Sequence, residues 1–323
     1  MPSFNAAVAL GTLHKSGELQ CKRLDLYIAE DLRLMSRSQI KQRSKETDFC
    51  AMVNGKKEKL SKLIKDGDSL HLTWNNPVSV DLIAQKIPLD IVFENNKVIV
   101  INKQQGLVVH PGAGNYSGTL VNALLYHFGS IDVSNAALRP FIVHRLDKDT
   151  SGIIIAAKDV DAISFLSDQF KERRVQKTYA AIVQGVPKTS KGKICGSLIR
   201  DPKDRKRFKV STDHGKGKPA LTYYRVVKTF NFHACGYSLL KLRPKTGRTH
   251  QLRVHLQSIG HPIIGDVIYN KKDKLFSAAT LMLHAKNLRI QLPCGDPNSP
   301  VLSFFTSPLP LRFKKMMRTL HST

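Results

Sequence analysis

The chain has 323 residues, of which 41% are hydrophobic and 24% charged, a balance typical of a globular protein with about two domains. Its charge is unusual, because 51 Lys and Arg against 25 Asp and Glu leave a net charge of +26. Such an excess repels itself in a compact fold and indicates a polyanionic partner, for which nucleic acid is favoured over a membrane surface. The sequence contains no apolar run of about 18 to 20 residues, which excludes a membrane-spanning helix.

The number and spacing of the cysteines bear on metal binding and on the cellular compartment of the protein. They are odd in number, scattered, and form no Cys-x-x-Cys pair, which argues against a zinc site or a disulfide framework. We therefore expect a cytoplasmic protein whose thiols stay reduced. The five positions are Cys21, Cys50, Cys195, Cys235 and Cys294.

Residues 1–20 are mixed in character and are treated as an N-terminal extension, and a small domain is expected over 21–75. Apolar residues from Leu24 to Leu34 recur near one helical face, and a second helix is predicted to open at Ser36. A strand is predicted at Phe49–Val53. The Asn-Gly pair that follows it is a strong hairpin signal.

A further turn, Asp-Gly-Asp, precedes a last predicted strand at 69–74. Two short helices, an Asn-Gly turn and this closing strand resemble the αL RNA-binding domain of ribosomal proteins and RNA-modifying enzymes. The resemblance implies that Arg37, Lys41 and Arg43 line the second helix and face phosphate groups. Solvated helix charges are the alternative reading. The sequence departs from the αL pattern over 41–50, where polar residues replace apolar ones.

Residues 76–88 are polar and bounded by prolines, and we predict a linker there. A larger domain is expected over 89–311, followed by a frayed basic tail over 312–323. Strands, helices and hairpins alternate in this domain without regular strand–helix–strand units. The pattern predicts an α+β fold with a mixed, largely antiparallel central sheet.

One loop in this domain imitates a dinucleotide-binding loop. Residues 107–118 combine an apolar run, His110 and several glycines before a predicted helix at Thr119–Phe128. The glycine fingerprint fails because Ser117 stands where the third glycine belongs, so nucleotide binding is not predicted.

The most informative stretch is residues 141–158. Two apolar β-branched runs, Phe141–Val143 and Ile153–Ile155, are predicted to be strand ends that flank a polar turn. The turn reads His-Arg-Leu-Asp-Lys-Asp-Thr-Ser-Gly and carries two carboxylates between basic and hydroxyl groups. Loops held by rigid elements commonly carry catalytic groups.

The pattern His-Arg-Leu-Asp-x-x-Thr-Ser-Gly resembles the signature of the RluA-type pseudouridine synthases, with Asp147 at the position of the catalytic aspartate. The resemblance implies that Arg248, in Thr-Gly-Arg-Thr-His-Gln, pairs with this aspartate and keeps it ionised under RNA. It also implies that Tyr179 stacks on the target base and can move the C5 proton, while Leu252 packs on the other side. Arg145, His144 and Thr150 are assigned to substrate binding.

A basic stretch over 200–218 carries eight Lys and Arg against three Asp. We interpret it as an extended hairpin or loop facing RNA, with Arg205, Lys206 and Arg207 at its centre; a solvated surface is the alternative.

The reaction implied by the resemblance isomerises a uridine that has left its stack, and it needs no cofactor and no metal. Sequence leaves open whether the aspartate attacks C1′, adds to C6 or acts through a glycal. We expect a monomer acting on large-subunit ribosomal RNA. The alternatives are a transfer-RNA synthase of the same family, a non-catalytic ribosome-binding protein, and a glycosidase-like hydrolase that would need a second carboxylate.

Overall fold

The structure is a computed structural model in which the chain divides into two compact units, Met1–Asp81 and Leu82–Thr323. Among the residues it describes, no helix is long and apolar enough to cross a lipid bilayer. The described ranges are 3–10, 21–32, 34–35, 37–44, 49–74, 83–112, 114–129, 141–204, 206–213, 215–270, 275–293 and 301–322.

The N-terminal unit combines short helices with two small antiparallel sheets. One sheet has the order β1-β6-β3-β4 and the other pairs β2 with β5. The strands are β1 (Ser3–Ala7), β2 (Cys21–Arg23), β3 (Phe49–Val53), β4 (Lys56–Lys57), β5 (Leu63–Lys65) and β6 (Ser69–Trp74). The helices are α1 (Leu24–Leu26), which continues into a π-helical turn (Tyr27–Asp31), and α2 (Arg37–Arg43).

Local sequence explains the core of this unit. Leu24, Ile28 and Ile40 from the helices are fully buried against strand residues such as Leu72. Both residues of the predicted Asn-Gly turn have positive φ, 51° for Asn54 and 77° for the glycine, as a tight two-residue hairpin requires. The predicted N-cap Ser36 lies outside the described residues.

The prediction of an N-terminal extension is wrong for its first part. Residues Ser3–Ala7 form the edge strand β1, which pairs antiparallel with β6 from Ser3 opposite Thr73 to Ala7 opposite Ser69. Val8 follows and is buried in the same core. Residues 11–20 lie outside the described part of the chain.

The second unit is built on a ten-stranded mixed sheet, with the order β12-β11-β13-β14-β10-β15-β9-β8-β7 and β16 beside β15. All of these pairings are antiparallel except β9 with β15, which confirms the predicted fold class. The strands are β7 (Ile91–Glu94), β8 (Val98–Lys103), β9 (Ser151–Ala157), β10 (Gln176–Gln184), β11 (Lys191–Arg200), β12 (Phe208–Val210), β13 (Lys218–Phe232), β14 (Cys235–Pro244), β15 (Leu283–Leu292) and β16 (Val301–Thr306).

Four helices pack on this sheet. α3 starts at a capping box in which Thr119 accepts a bond from the Asn122 backbone and the Asn122 side chain accepts one in return. α4 starts at Asp159, whose side chain accepts a bond from Ala162 N at 2.8 Å. The helices are α3 (Leu120–Phe128), α4 (Val160–Lys171), α5 (Gln251–Ser258) and α6 (Leu311–Thr319).

The end of the chain is not a frayed tail. Residues 312–323 were expected to be frayed, but most of them belong to α6, and Phe313 in this helix and Leu320 just after it are buried in the main core. Phe313, Met316 and Leu320 recur at helical spacing, so burial of this apolar stripe stabilises the helix despite its basic surface.

Two further expectations need revision. Phe141 is not an extended strand residue, because its φ is +70°, and only a single bridge between Ile142 and Ala156 connects this segment to the sheet. The second half of the predicted linker is held against α3, since the Asn122 side chain donates to the Ile83 carbonyl at 2.8 Å. Residues 75–82 lie outside the described chain.

Candidate active site

The backbone of the loop that carries Asp147 is held in place by a buried lysine. Lys103, at the end of β8, is 1% exposed and donates to the carbonyls of Gln104, Leu107 and Lys148 at 2.8 to 3.0 Å. Burial lowers the pKa of Lys103 to about 7, although the charge of Asp149 opposes the shift. Three carbonyl acceptors use all three N–H groups of the ammonium form, so Lys103 ties the backbone next to Asp147 to the neighbouring turn.

The residues after Asp147 explain why the loop ends in Thr-Ser-Gly. The Thr150 amide donates to the Asp147 carbonyl at 3.1 Å, which closes the turn. Gly152 has φ +110°, and a Cβ there would lie 2.1 Å from the Ala285 carbonyl oxygen. Only glycine permits this close approach of β9 to β15, so the motif glycine sets where the Asp147 loop meets the sheet.

Ser151 connects the loop to the C-terminal helix. Its hydroxyl lies 2.8 Å from Nδ1 of the buried His284 and accepts a bond from Arg312 Nη2 at 2.6 Å. Arg312 also donates to the Leu283 carbonyl at 3.2 Å. α6 therefore supports the back of the loop through a buried polar network.

Asp147 lines a cavity of about 490 Å³, a size suited to a small-molecule ligand. Among the described residues that line the cavity, Asp147 is the only acid. Seven cationic side chains share the lining: Arg145, Lys171, Arg173, Lys177, Lys245, Arg248 and Arg253.

The cation that pairs with Asp147 is Arg253, which corrects the expectation for Arg248. Arg253 Nη1 lies 3.4 Å from Asp147 Oδ2, and the two side chains are 6% and 20% exposed. Arg248 lines the cavity but donates from Nε to the Pro219 carbonyl at 3.2 Å.

Arg253 is held by a second carboxylate. Its Nε and Nη2 donate to the two oxygens of the fully buried Asp266 at 2.7 and 2.8 Å. Burial disfavours the charged guanidinium, but the bonds and charge of Asp266, with the charge of Asp147, raise the pKa of Arg253 above its ordinary value. The bidentate pair fixes the guanidinium plane and leaves Nη1 facing Asp147.

Tyr269 links this pair to the basic hairpin of β11 and β12. The guanidinium carbons of Arg253 and Arg207 both lie over its ring, 5.2 and 5.6 Å from the centroid. Its hydroxyl accepts a bond from the Phe208 amide at 2.9 Å, so the hydroxyl proton can be donated to Nδ1 of His250, 3.0 Å away. His250 lines the cavity with a left-handed φ of +55°, a strained conformation of the kind that clusters at functional sites.

A buried glutamine shapes the turn before α5. Gln251 Oε1 accepts bonds from the Arg248 amide and the Thr246 hydroxyl, and its Nε2 donates to the Leu221 carbonyl and the Thr222 hydroxyl. These four bonds, at 2.7 to 3.1 Å, satisfy the amide and position Arg248 at the cavity.

The expected base-contacting residues also line the cavity. Tyr179 projects from β10, and burial, with the charge of Asp147, raises the pKa of its hydroxyl, which therefore stays protonated. Leu252 is 7% exposed in α5. Thr150 and the exposed Arg145 complete this group.

His144 lines the cavity and packs against its neighbours. Its ring stacks on Phe170 with centroids 4.5 Å apart, and its Nε2 accepts a bond from the Ile155 amide at 3.0 Å. Burial, with the charge of Lys177, lowers the pKa of His144 to about 3, so the imidazole is neutral. His144 therefore packs the loop against α4.

The residues expected to bind RNA differ in their exposure and in the contacts that their side chains make. Arg37 pairs with the buried Asp25 at 2.9 Å, whereas Lys41 is exposed. Lys206 is exposed and Arg207 packs on Tyr269. Arg43 is half-buried, and Arg205 lies outside the described residues.

Sequence reasoning missed Arg253, Asp266, Tyr269 and His250. The only signal for Arg253 in the sequence was a charged residue between two apolar neighbours, Leu252 and Val254. The other three require knowledge of how α5 and the loop after it pack together.

Comparison with known proteins identifies the family. Residues 97–258 match the family described as RNA pseudouridylate synthase, and the chain belongs to this family. It is therefore an RNA pseudouridine synthase, an isomerase that acts on RNA.

Two relatives and one solved structure illustrate the similarity. A Borreliella burgdorferi protein named ribosomal large subunit pseudouridine synthase D is 43% identical over 90% of this chain and 87% of its own. An uncharacterized RNA pseudouridine synthase of Chlorobaculum parvum is 39% identical over 89% and 90% of the two chains. The structure of human RNA pseudouridylate synthase domain containing 1 covers 77% of this chain and 98% of its own, with a TM-score of 0.56 and 27% identity.

Proposed function

We propose that this enzyme converts uridine to pseudouridine in large-subunit ribosomal RNA, with Asp147 as the essential carboxylate and the target base flipped out of its stack. The observation that carries the proposal is a single acid in a cavity whose described lining includes seven cations, with the acid held by a buried arginine at 3.4 Å. The ribosomal target rests on the name of the Borreliella burgdorferi relative, which aligns over most of both chains.

A single carboxylate suits isomerisation better than hydrolysis. A glycosidase needs two carboxyl groups about 5 to 9.5 Å apart, one as acid and one as nucleophile or base. The second acid near this site, Asp266, is fully buried and bound by both oxygens to Arg253. Asp147 therefore acts alone at the sugar or base, by C1′ attack, C6 addition or a glycal route.

The neighbouring residues fit the handling of a flipped base. Tyr179 and Leu252 offer an aromatic ring and an apolar side chain in the same cavity as the carboxylate. Because the Tyr179 hydroxyl is held protonated, we assign it to stacking and hydrogen-bond donation rather than to removal of the C5 proton. Flipping costs a few kcal/mol, and the net charge of +26 provides phosphate contacts that offset it.

The N-terminal unit is proposed to add RNA contacts. Arg23, Arg37, Lys41, Lys57 and Lys59 line a second cavity of about 720 Å³ in this unit. Asp25 engages Arg23 and Arg37, and although burial disfavours its charge, their hydrogen bonds lower the pKa of Asp25. Lys41 and the lysines of the cavity are therefore better placed than Arg37 to meet phosphate.

We also propose a monomer that works in the cytosol without a cofactor. The four cysteines in the described residues form no disulfide, which suits a reducing compartment. In the described part of the chain, no three His, Cys, Asp or Glu side chains are grouped to hold a metal ion.

The test is tritium release from RNA that carries C5-labelled uridine. The wild type should release tritium from ribosomal RNA, whereas Asp147→Asn, which keeps the size of the side chain, should bind the RNA and release none above background. Asp149→Asn is the matched control and should retain activity. Release by Asp147→Asn would remove the proposed role of the aspartate, and free uracil as the product would indicate a hydrolase. Conversion of transfer RNA alone would redirect the substrate assignment.

A further inference from the structure

Three neighbouring strands of the main sheet carry charged residues of positive sign only. β11, β13 and β14 together contain eight Lys and Arg and no Asp or Glu. Six of these eight charges lie outside the stretch over 200–218 to which RNA contact was assigned from sequence; Arg200 and Lys218 are its two ends.

The strand register gathers most of these charges on one surface. Lys191 of β11 lies opposite Arg225 of β13, and Arg225 lies opposite Lys241 of β14. Residues directly opposite in a ladder project from the same face of a sheet. These three cations therefore form one row across three strands.

A second row runs parallel to the first. Lys193 lies opposite Tyr223, and Tyr223 lies opposite Arg243. Because alternate residues of a strand share a face, both rows project from the same side. We call this surface the basic sheet face; its members are Lys191, Lys193, Tyr223, Arg225, Lys241 and Arg243.

The basic sheet face lies on the reverse of the sheet from the candidate active site. Tyr179, which lines the cavity, is opposite Leu242, and Leu242 is opposite Tyr224. These residues are one position out of phase with Lys241 and Arg225 and so project from the other side. The basic sheet face is therefore not part of the cavity already described.

The face is open and its charges are uncompensated. Lys191, Lys193, Arg225 and Arg243 are exposed, and Tyr223 is 42% exposed. None of the five cations forms an ion pair with another described residue. Like charges placed directly opposite destabilise a sheet, so the free protein carries a cost that a bound polyanion would remove.

We propose that the basic sheet face binds the phosphate backbone of an RNA segment distant from the modified uridine, with Tyr223 as a stacking platform for an unpaired base. Neighbouring strands lie about 5 Å apart and alternate residues about 7 Å apart, so the cations form a two-row field that can follow a strand of phosphates. An aromatic ring between two cations is the arrangement that holds single-stranded RNA by combined charge and stacking. The choice of RNA over an anionic membrane rests on the proposed function, because the enzyme must already hold a large RNA.

The experiment replaces the charged residues of the basic sheet face and measures affinity for one RNA and turnover on another. One variant carries Lys191→Gln, Lys193→Gln, Arg225→Gln, Lys241→Gln and Arg243→Gln. Its matched control carries Lys→Arg and Arg→Lys at the same five positions, which keeps the charge. A second pair compares Tyr223→Leu with Tyr223→Phe. Affinity for a long ribosomal RNA fragment is measured over a salt series, and turnover is measured on a saturating short stem-loop that reaches only the cavity.

The glutamine variant should bind the long RNA at least tenfold more weakly than its control. The slope of log affinity against log salt should become shallower by about 3 to 4, since each lost contact to single-stranded RNA removes about 0.7. Tyr223→Leu should weaken the same affinity more than Tyr223→Phe. Turnover on the short stem-loop should be unchanged in all four variants.

Equal affinities and slopes for the glutamine variant and its control would overturn the proposal. Loss of binding only to vesicles rich in anionic lipid, with RNA affinity unchanged, would overturn it in favour of a membrane. Failure of the wild type to isomerise any uridine would reject the proposed function instead, and the affinity comparison would still decide the role of the basic sheet face.

Discussion

At the scale of single residues, the site depends on which arginine meets Asp147. Arg253 donates to Asp266 from Nε and Nη2, at 2.7 and 2.8 Å, and its third nitrogen, Nη1, faces Asp147. Asp266 therefore sets the plane of the Arg253 guanidinium, which makes Asp266 a positioning residue in the proposed reaction. A lysine could supply charge at this position but could not bridge two carboxylates in the same fixed geometry.

Arg253→Lys should lower turnover about a hundredfold, which corresponds to about 2.7 kcal/mol of activation free energy, because an ammonium group cannot hold Asp266 and Asp147 in the same fixed geometry. RNA affinity should change little, since Arg253 is 6% exposed. The measurement is single-turnover tritium release together with the dissociation constant for the same RNA. Thermal unfolding of the variant identifies any general loss of structure.

Arg248→Lys is the matched control. The Arg248 side chain has a single described hydrogen bond, to the Pro219 carbonyl, and the change to lysine should have a smaller effect on turnover. If Arg248→Lys lost more turnover than Arg253→Lys, the pairing seen here would not be the one that operates with RNA bound.

The position of the aspartate, Asp147, could be predicted from the sequence, but its arginine partner could not. Asp147 lies in a contiguous motif whose hydroxyls and glycine have local structural reasons, such as the contact of Gly152 with Ala285. Arg253 and Arg248 lie in the same segment, and only the orientation of α5 decides between them. That orientation depends on Gln251 and on the approach of Asp266, which sequence spacing does not reveal.

At the scale of elements, local patterns predicted strands better than they predicted loops and ends. The strands at Phe49–Val53 and Ser69–Trp74 match the structure because alternation of buried residues defines them. The segment at Phe141 was predicted as strand from its apolar residues, but its positive φ is imposed by the surrounding fold. The C-terminal helix was not predicted because the segment was interpreted from its many basic residues, and the helical spacing of its few apolar residues was overlooked.

Phe313 of α6 tests whether this helix is part of the core. Phe313→Ala should lower the free energy of unfolding by about 3 to 5 kcal/mol, because the ring is fully buried and its loss leaves a cavity. Lys314→Ala, at an exposed position of the same helix, is the control and should change stability by less than about 0.5 kcal/mol. Urea unfolding measures both. Equal stabilities would mean that 311–319 is a dispensable tail.

At the scale of the whole molecule, one sheet separates two kinds of surface. The cavity with its single carboxylate lies on one side, and the uncompensated cations of the basic sheet face lie on the other. The composition alone predicted a polyanionic partner, but the placement of charge depends on strand register. Register is fixed by the buried residues between the charged ones, and it could not be read from the positions of Lys and Arg.

Buried histidines give the molecule a defined sensitivity to acid. Burial lowers the pKa of both His255 and His284 to about 4, against about 6.5 in an unfolded chain. Between these two values the unfolded state binds more protons than the folded state, so stability falls as pH decreases from 6.5 towards 4. Each histidine contributes a slope of up to about 1.4 kcal/mol per pH unit in this window, and neither contributes above it.

Urea unfolding at pH 7.5, 6.5, 5.5 and 4.5 should therefore show a plateau between the first two values and a steep loss below them. His255→Asn keeps a polar group near the Thr222 hydroxyl, which lies 3.0 Å from His255 Nδ1, and removes one of these protonation sites. This variant should be less stable at pH 7.5 but lose stability less steeply on acidification. His321→Asn, at an exposed position, should keep the wild-type slope. If His255→Asn and the wild type had the same slope between pH 6.5 and 4.5, protonation of this buried imidazole would not be a source of the acid sensitivity.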